Sequence, residues 1–248
     1  MTDQPTTVRP DRRAELAAGL ARVRTRIADA CAAAGRDRAE VTMIAVTKTY
    51  PAGDVLALAG LGVTDVGENR DQEAGPKAAE VTAAGVHVRW HFIGQLQRNK
   101  ARSVVRYADV VHSVDSVRLA RALDAAATTG RDRPLDALVQ VSIDGDPARG
   151  GALPGSADPD RGLDPVADAL AGATGLRLAG LMAVAPLGWE PERAFARLAE
   201  VAERLRQRYP QATALSAGMS GDLEQAVAHG ATHVRVGSAL LGMRPTLR

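Results

Sequence analysis

Cysteine occurs once in this chain, at Cys31, so no intrachain disulfide can form and a reducing, cytoplasmic compartment is expected. Aromatic residues make up only 3% of the sequence, which leaves alanine, valine and leucine to fill most of the core. No stretch approaches the ~20 consecutive apolar residues that a membrane-spanning helix needs. Neither sign of charge dominates: 31 basic and 29 acidic residues leave a formal net charge of +2, so no nucleic-acid or membrane partner is expected. Lysine is the scarcest charged residue. It stands only at positions 48, 77 and 100, and arginine supplies the other 28 of the 31 basic side chains. Arginine keeps its proton, whereas a desolvated lysine can lose one and attack a carbonyl, so each lysine is worth locating.

What is present is ample apolar material. With 248 residues and 46% hydrophobic content, the chain can build one large domain. Residues 1–10 (MTDQPTTVRP) are polar and proline-bearing; they read as a disordered tail and not as a secretory signal, leaving 11–248 as a single domain. Leu16, Leu20, Val23 and Ile27 recur at three- and four-residue spacing and predict an amphipathic helix over 11–34, ended by Gly35. β-Branched runs then alternate with helix-period segments. Strands are predicted at 41–47, 64–67, 88–94, 109–114, 136–143, 177–184, 212–216 and 233–237. Helices are predicted between them at about 52–61, 70–84, 96–106, 116–129, 163–171, 190–208 and 220–229. Strands joined by helical crossovers pair in parallel, and eight such units in ~250 residues make an α/β fold of the (β/α)8 TIM-barrel type. A doubly wound open sheet is the alternative, but no G-x-G-x-x-G follows the first strand. The stretch 144–162, DGDPARGGALPGSADPDRG, reads as a long loop.

Barrels of this kind carry their chemistry where strands end and helices begin. Those positions hold Lys48; Glu68 and Asn69; His91 to Gln95; Ser113 and Asp115; Ser142; Met182 and Pro186; Ser216 to Asp222; and Arg235 to Ser238. After strand seven, S-A-G-M-S-G-D places Ser220 where a helix should start; after strand eight, Gly237 and Ser238 bring further backbone N–H groups close together. Turns after strands seven and eight of a barrel are the usual place for a phosphate. Side chains two apart share a face of a strand, so Lys48 lies with Val46 and Ile44, and Arg235 with Gly237. A lysine able to form a Schiff base beside a phosphate nest suits a phosphorylated aldehyde.

The segments AVTK (45–48), GEN (67–69), WHFIGQLQRNK (90–100), HSVDS (112–116), VQVS (139–142), GLMAVAP (180–186), SAGMSGD (216–222) and RVGSALLG (235–242) resemble, in order and spacing, the pyridoxal phosphate homeostasis (YggS/PROSC) family of PLP-binding proteins. The resemblance runs over about 40–242, and WHFIGQLQRNK is its most specific part. It implies a barrel like the N-terminal domain of alanine racemase, binding pyridoxal 5′-phosphate (PLP). By resemblance Lys48 is the Schiff-base lysine, Ser220, Gly237 and Ser238 contact the phosphate, and Arg235 stands near the pyridine nitrogen. Asn69, Met182, Ser216 and Met219 match further positions lining the cofactor. The chain departs from the family pattern at Ser142, Arg149, Ala217 and Leu241.

Three functions compete: a non-enzymatic PLP carrier or buffer, with apo PLP-dependent enzymes as recipients; a PLP-dependent amino-acid racemase; and a Schiff-base aldolase acting on a sugar phosphate. Racemases of this fold class resemble a barrel plus a second domain that brings a catalytic tyrosine. Here the barrel consumes the chain, which favours a carrier, expected to be monomeric. Of the remaining residues, Lys77 is read as solvated, Lys100 as solvated or anion-binding, and His91 as structural or ligand-contacting. His87, His229 and His233 are read as structural, and Cys31 as packing of the first helix. No His/Cys/carboxylate cluster has metal-ligand spacing.

Overall fold

The computed structural model describes residues 10–242; the tail predicted over 1–10 lies almost wholly outside them. At its centre eight parallel strands close into a barrel in chain order: β1 (Thr42–Val46), β2 (Asp65–Glu68), β3 (Arg89–Phe92), β4 (Val110–Val114), β5 (Leu135–Gln140), β6 (Leu176–Met182), β7 (Ala214–Ser216) and β8 (His233–Val236). β8 pairs back on β1 with Ile44 opposite Arg235. Around them run α1 (Pro10–Ala33), α2 (Ala52–Ala59), α3 (Asp71–Ala83), α4 (Ala101–Val104), α5 (Val117–Gly130), α6 (Leu163–Ala171), α7 (Pro191–Arg208), α8 (Leu223–Ala228) and α9 (Ser238–Leu241).

Every predicted strand is present, trimmed chiefly at its ends, where the chain leaves the ladder to form loops. Two predicted helices are much shorter. Arg98–Lys100 form a 3-10 turn before the single turn of α4, and residues 220–222 form a turn before α8. Since α9 is one turn long, α1 takes up the outer ring beside it, packing against α8, α9 and α2. Its apolar stripe of Leu16, Leu20, Val23 and Ile27 is fully buried, as is Cys31. Gly19 lies in the middle of α1, where glycine costs roughly 1 kcal/mol relative to alanine. A Cβ there would stand 2.2 Å from the Leu240 carbonyl oxygen, so the close approach of α1 to α9 requires it.

Alternation along the strands separates two environments. Outward residues such as Ala45, Val66, Trp90, Val111 and Ala137 pack on the inner faces of the helices, where Leu58, Val81, Leu123, Phe195 and Leu198 are buried. Inward residues include Asp65, His91, His112, Ser216 and Arg235, all buried and all polar, beside apolar Ile44 and Val46 and a small group of Val110, Leu138 and Met182. The loop over 144–162 is tied down at several points. Ser142 Oγ donates to Asp144 Oδ1 and the Asp146 carbonyl, Arg149 pairs with Asp144 at 2.6 Å, and Asp160 accepts from the Val117 and Arg118 N–H groups at the start of α5. Among the described residues no helix is long and apolar enough to cross a membrane.

Candidate functional site

β1 ends at Val46, yet Thr47 keeps to the ladder: its N–H donates to the Gly67 carbonyl at 3.0 Å. The Thr47 hydroxyl faces the helices and donates to Glu68 Oε1 at 2.7 Å. Alternation then turns the next residue, half-buried Lys48, toward the barrel axis. Thr49 follows at φ 68°, and it is the one non-glycine residue with a positive φ among the described residues. A β-branched residue in this region carries strain of order 1–3 kcal/mol. Its N–H is held by Glu73 Oε2 at 3.1 Å, which fixes the turn that presents Lys48.

Lys77 requires a correction. It is not solvated: its Nζ is buried, donating to the Thr47 carbonyl at 2.9 Å and to Glu68 Oε1 at 2.5 Å. The signal was in the spacing, because Ala74, Lys77, Ala78 and Val81 form the one buried face of α3. This ion pair sits directly behind Lys48 and braces the ends of β1 and β2. Asn69 closes β2 with its Oδ1 buried and without a hydrogen-bond partner among the described residues. Gly94 lies against the Asn69 backbone, where a Cβ would come within 2.2 Å of its carbonyl oxygen. The family signature therefore needs glycine at 94 to let the end of β3 pass Asn69. Lys100 lies 3.9 Å from Asp71.

On the other side of the mouth, the turn after β7 is stapled from below and from behind. The Arg235 N–H donates to the Gly218 carbonyl at 2.9 Å, and the Ala217 N–H to the His233 carbonyl at 3.0 Å. The Met219 N–H donates to Asp222 Oδ1 at 2.6 Å, while the Met219 side chain is exposed. Arg26 of α1 reaches over to donate to the Ser220 carbonyl at 3.0 Å and to both oxygens of Glu224. Arg26 lies outside the motif segments, and only tertiary contact shows its part. Ser220 Oγ and Ser238 Oγ then face each other at 3.4 Å, long for a hydrogen bond, so both hydroxyls can turn to a ligand. The backbone N–H groups of Ser220, Gly221 and Ser238 have no intramolecular partner among the described residues, and Gly221 opens onto free space. Hydroxyls and N–H groups gathered in this way suit the oxygens of a phosphate.

Arg235 lies at the base of this mouth and is 4% exposed. Its Nη1 donates to Ser216 Oγ at 2.7 Å and its Nη2 to the Ala183 carbonyl at 2.9 Å, two of five N–H donors. Burial pushes its pKa down to about 10, so it stays a cation at neutral pH. Ser216 is fully buried beneath it, and Met182 packs on Leu138 and Val110 inside the barrel. His91 is hydrogen-bonded through both ring nitrogens, to Asp65 and His112, which is the structural role. His233 stands beside them inside the barrel, with ring centroids 6.2 and 6.3 Å away. His112, Asp65 and Arg26 were not singled out from the sequence. No group of three His, Cys, Asp or Glu side chains among the described residues could hold a metal ion.

Residues 20–245 match the family model described as alanine racemase, N-terminal domain. The chain is also 46% identical, over 253 aligned positions and 95% of each sequence, to the pyridoxal phosphate homeostasis protein of Mycobacterium tuberculosis. The chain belongs to the pyridoxal phosphate homeostasis protein family. A solved structure of PipY from Synechococcus elongatus with PLP bound is similar at 35% identity and a TM-score of 0.73, over 92% of this chain and 100% of that one. Alanine racemase from Streptomyces coelicolor shares the barrel at a TM-score of 0.70 and 21% identity, over 94% of this chain but 59% of the racemase, and so shows the fold alone.

Proposed function

We propose that this member of the family binds PLP at the barrel mouth and serves as a cytoplasmic, monomeric carrier or buffer of the cofactor, with apo PLP-dependent enzymes as recipients. The observation that carries the reading is the placement of Lys48, Arg235 and the Ser220–Ser238 cradle toward the same end of the barrel, on β1 and its neighbour β8 and the turn after β7. Four features fit PLP: an amine at the end of β1, two hydroxyls with unpartnered N–H groups for the phosphate, a buried cation for the ring nitrogen, and the orphaned Asn69 Oδ1 at the rim. When bound, PLP supplies an aldehyde that condenses reversibly with an amine, one water leaving for each bond formed. Lys48 is the amine assigned to it. Ser220, Gly237 and Ser238 would take the phosphate, and Arg235, a cation that donates hydrogen bonds without giving up its proton at neutral pH, would keep the ring nitrogen unprotonated and the ring a poor electron sink. Asn69, Met182, Ser216 and Met219 surround or support these groups.

The tyrosines favour a carrier over a racemase. A second acid or base is needed on the opposite ring face; Tyr50 and Tyr209 are hydrogen-bonded elsewhere, and Tyr107 packs in the apolar shell. The Tyr50 hydroxyl donates to the Gly242 carbonyl at 2.8 Å, burial pushes the Tyr107 hydroxyl up, and Tyr209 bonds Asp168. The test is the visible spectrum. The protein loaded with PLP is expected to be yellow, bleached by borohydride, with the reduced adduct on the peptide carrying Lys48, and Lys48→Ala is expected to lose the colour. A protein that takes up no PLP, or colour undiminished in Lys48→Ala, would overturn the assignment. Racemisation of amino acids at ordinary enzyme rates would replace the carrier with the racemase.

A further inference from the structure

Beneath Arg235 runs a polar chain, three of whose members, His112, His91 and Asp65, the binding reading leaves unused. It has four links drawn from five strands. Arg235 Nη1 lies 2.7 Å from Ser216 Oγ, which lies 3.0 Å from His112 Nδ1. His112 Nε2 lies 2.8 Å from His91 Nδ1, and His91 Nε2 lies 2.9 Å from Asp65 Oδ1. All five residues are buried, from 0% exposed at His112 and Ser216 to 8% at Asp65.

The ends of the chain decide every proton between them. Arg235 can only donate. Asp65 accepts: burial pushes its carboxyl up, but hydrogen bonds from His91 and Thr64 outweigh this and hold it below the usual carboxylate range. Ser216 therefore receives a hydrogen from Arg235 and gives its own to His112 Nδ1. His112, neutral, gives its Nε2 hydrogen to His91 Nδ1, and His91, neutral, gives its Nε2 hydrogen to Asp65. The opposite sense requires an imidazolium at His91 and leaves the Ser216 hydrogen without an acceptor in the chain. Burial disfavours that charge and holds both His91 and His112 below the ordinary histidine value. The other titratable groups around the rings are His233, Arg89 and Asp109. No ion pair among the described residues joins Arg235 directly to a carboxylate; Asp222 acts on it through space, and Asp65 is the carboxylate it reaches through hydrogen bonds, four bonds away.

We propose that Asp65, His91, His112 and Ser216 are positioning residues for Arg235, a one-way hydrogen-bond relay that aims the guanidinium at the mouth and makes Asp65, the first residue of β2, a determinant of how a cofactor ring is seated. The proposal rests on the PLP reading for its ligand, but the relay exists without one. This separates the tests. In the ligand-free protein, 15N spectra of the histidine side chains are expected to show His91 and His112 neutral, each with its hydrogen on Nε2. An Nδ1–H tautomer or an imidazolium at either position near pH 7 overturns the relay.

With PLP, His112→Phe is expected to weaken binding about tenfold or more and to move the visible absorbance band, because a hydrogen bond to a charged group is lost. His112→Gln, whose Oε1 accepts and Nε2 donates, is expected to recover binding to within about threefold of wild type. Asp65→Asn keeps an acceptor but removes the charge; it is expected to weaken binding about threefold and to shift the band in the same direction. A His112→Phe protein with wild-type affinity and band overturns the proposal. If His112→Phe does not fold, the Gln and Asn variants and the wild-type tautomers carry the decision. If the wild-type protein takes up no PLP, the functional reading fails while the histidine spectra still judge the relay.

Discussion

The two faces of the barrel wall differ more than any other two regions of this protein. On the outer face, Val66, Trp90, Val111 and Ala137 meet the apolar sides of the helices, and the contacts are almost wholly hydrocarbon. On the inner face, one residue away along the same strands, Asp65, His91 and His112 join Ser216 and Arg235 in a hydrogen-bonded chain. Barrels usually fill their interior with branched aliphatic side chains. Here stability is concentrated in the shell, and the interior gives up hydrophobic contact in order to hold a buried cation below the mouth.

The sharpest way to break this comparison is to weaken each face in turn. Phe195→Ala in the shell is expected to cost about 3–5 kcal/mol, seen as a lower midpoint in urea unfolding, with PLP affinity of the folded protein unchanged. A cost below about 1 kcal/mol would mean that the shell does not dominate stability. One polar exception in the shell is the Lys77–Glu68 pair. Removing one partner leaves a buried charge, and Lys77→Ala is expected to destabilise by about 3 kcal/mol; replacing both by apolar residues should cost far less.

Acid probes the interior. His233 is held down to about 4 by burial, and burial also lowers His91 and His112. A histidine whose folded pKa lies below its unfolded value binds more protons when unfolded, so its contribution is complete above about pH 6.5 and is lost as pH falls. Between about pH 6.5 and 4, stability should fall by about 1.4 kcal/mol per pH unit for each proton taken up on unfolding. Asp65, lowered instead through its hydrogen bonds, adds a further loss only below about pH 4. Flat stability from pH 7 to 5 would show that the interior is not the buried hydrogen-bonded network described. The smallest effect expected is at the mouth: Thr49→Gly relieves the strained φ and should raise stability by about 0.5–1 kcal/mol, while loosening the turn that presents Lys48.

Much of the fold was legible from periodicity. The strands and the α1 stripe of Leu16, Leu20, Val23 and Ile27 follow from one apolar face per element, and that rule is local. Where the rule was not applied strictly it still held the answer: Lys77 falls at the buried phase of α3 despite its charge. The residues grouped at the strand ends were also readable, because a lysine, two serine-bearing turns and an arginine recur at the C-terminal ends of predicted strands. The relay was not. His112 sits in the run DVVHSV like any strand residue, and its partner Ser216 is 104 residues away, so nothing local marks the contact.

The sequence by itself determined the order of the elements, the inward or outward parity of each strand residue and the chemistry available at each strand end. Closing the barrel decided which of those residues meet. Only when β8 pairs on β1 and the inward side chains of five strands share one interior do Arg235, Ser216, His112, His91 and Asp65 come within hydrogen-bond distance. The physical reason is range: backbone propensity and apolar period act over a few residues, whereas desolvation and hydrogen bonding in the interior act between groups that only the completed fold brings together.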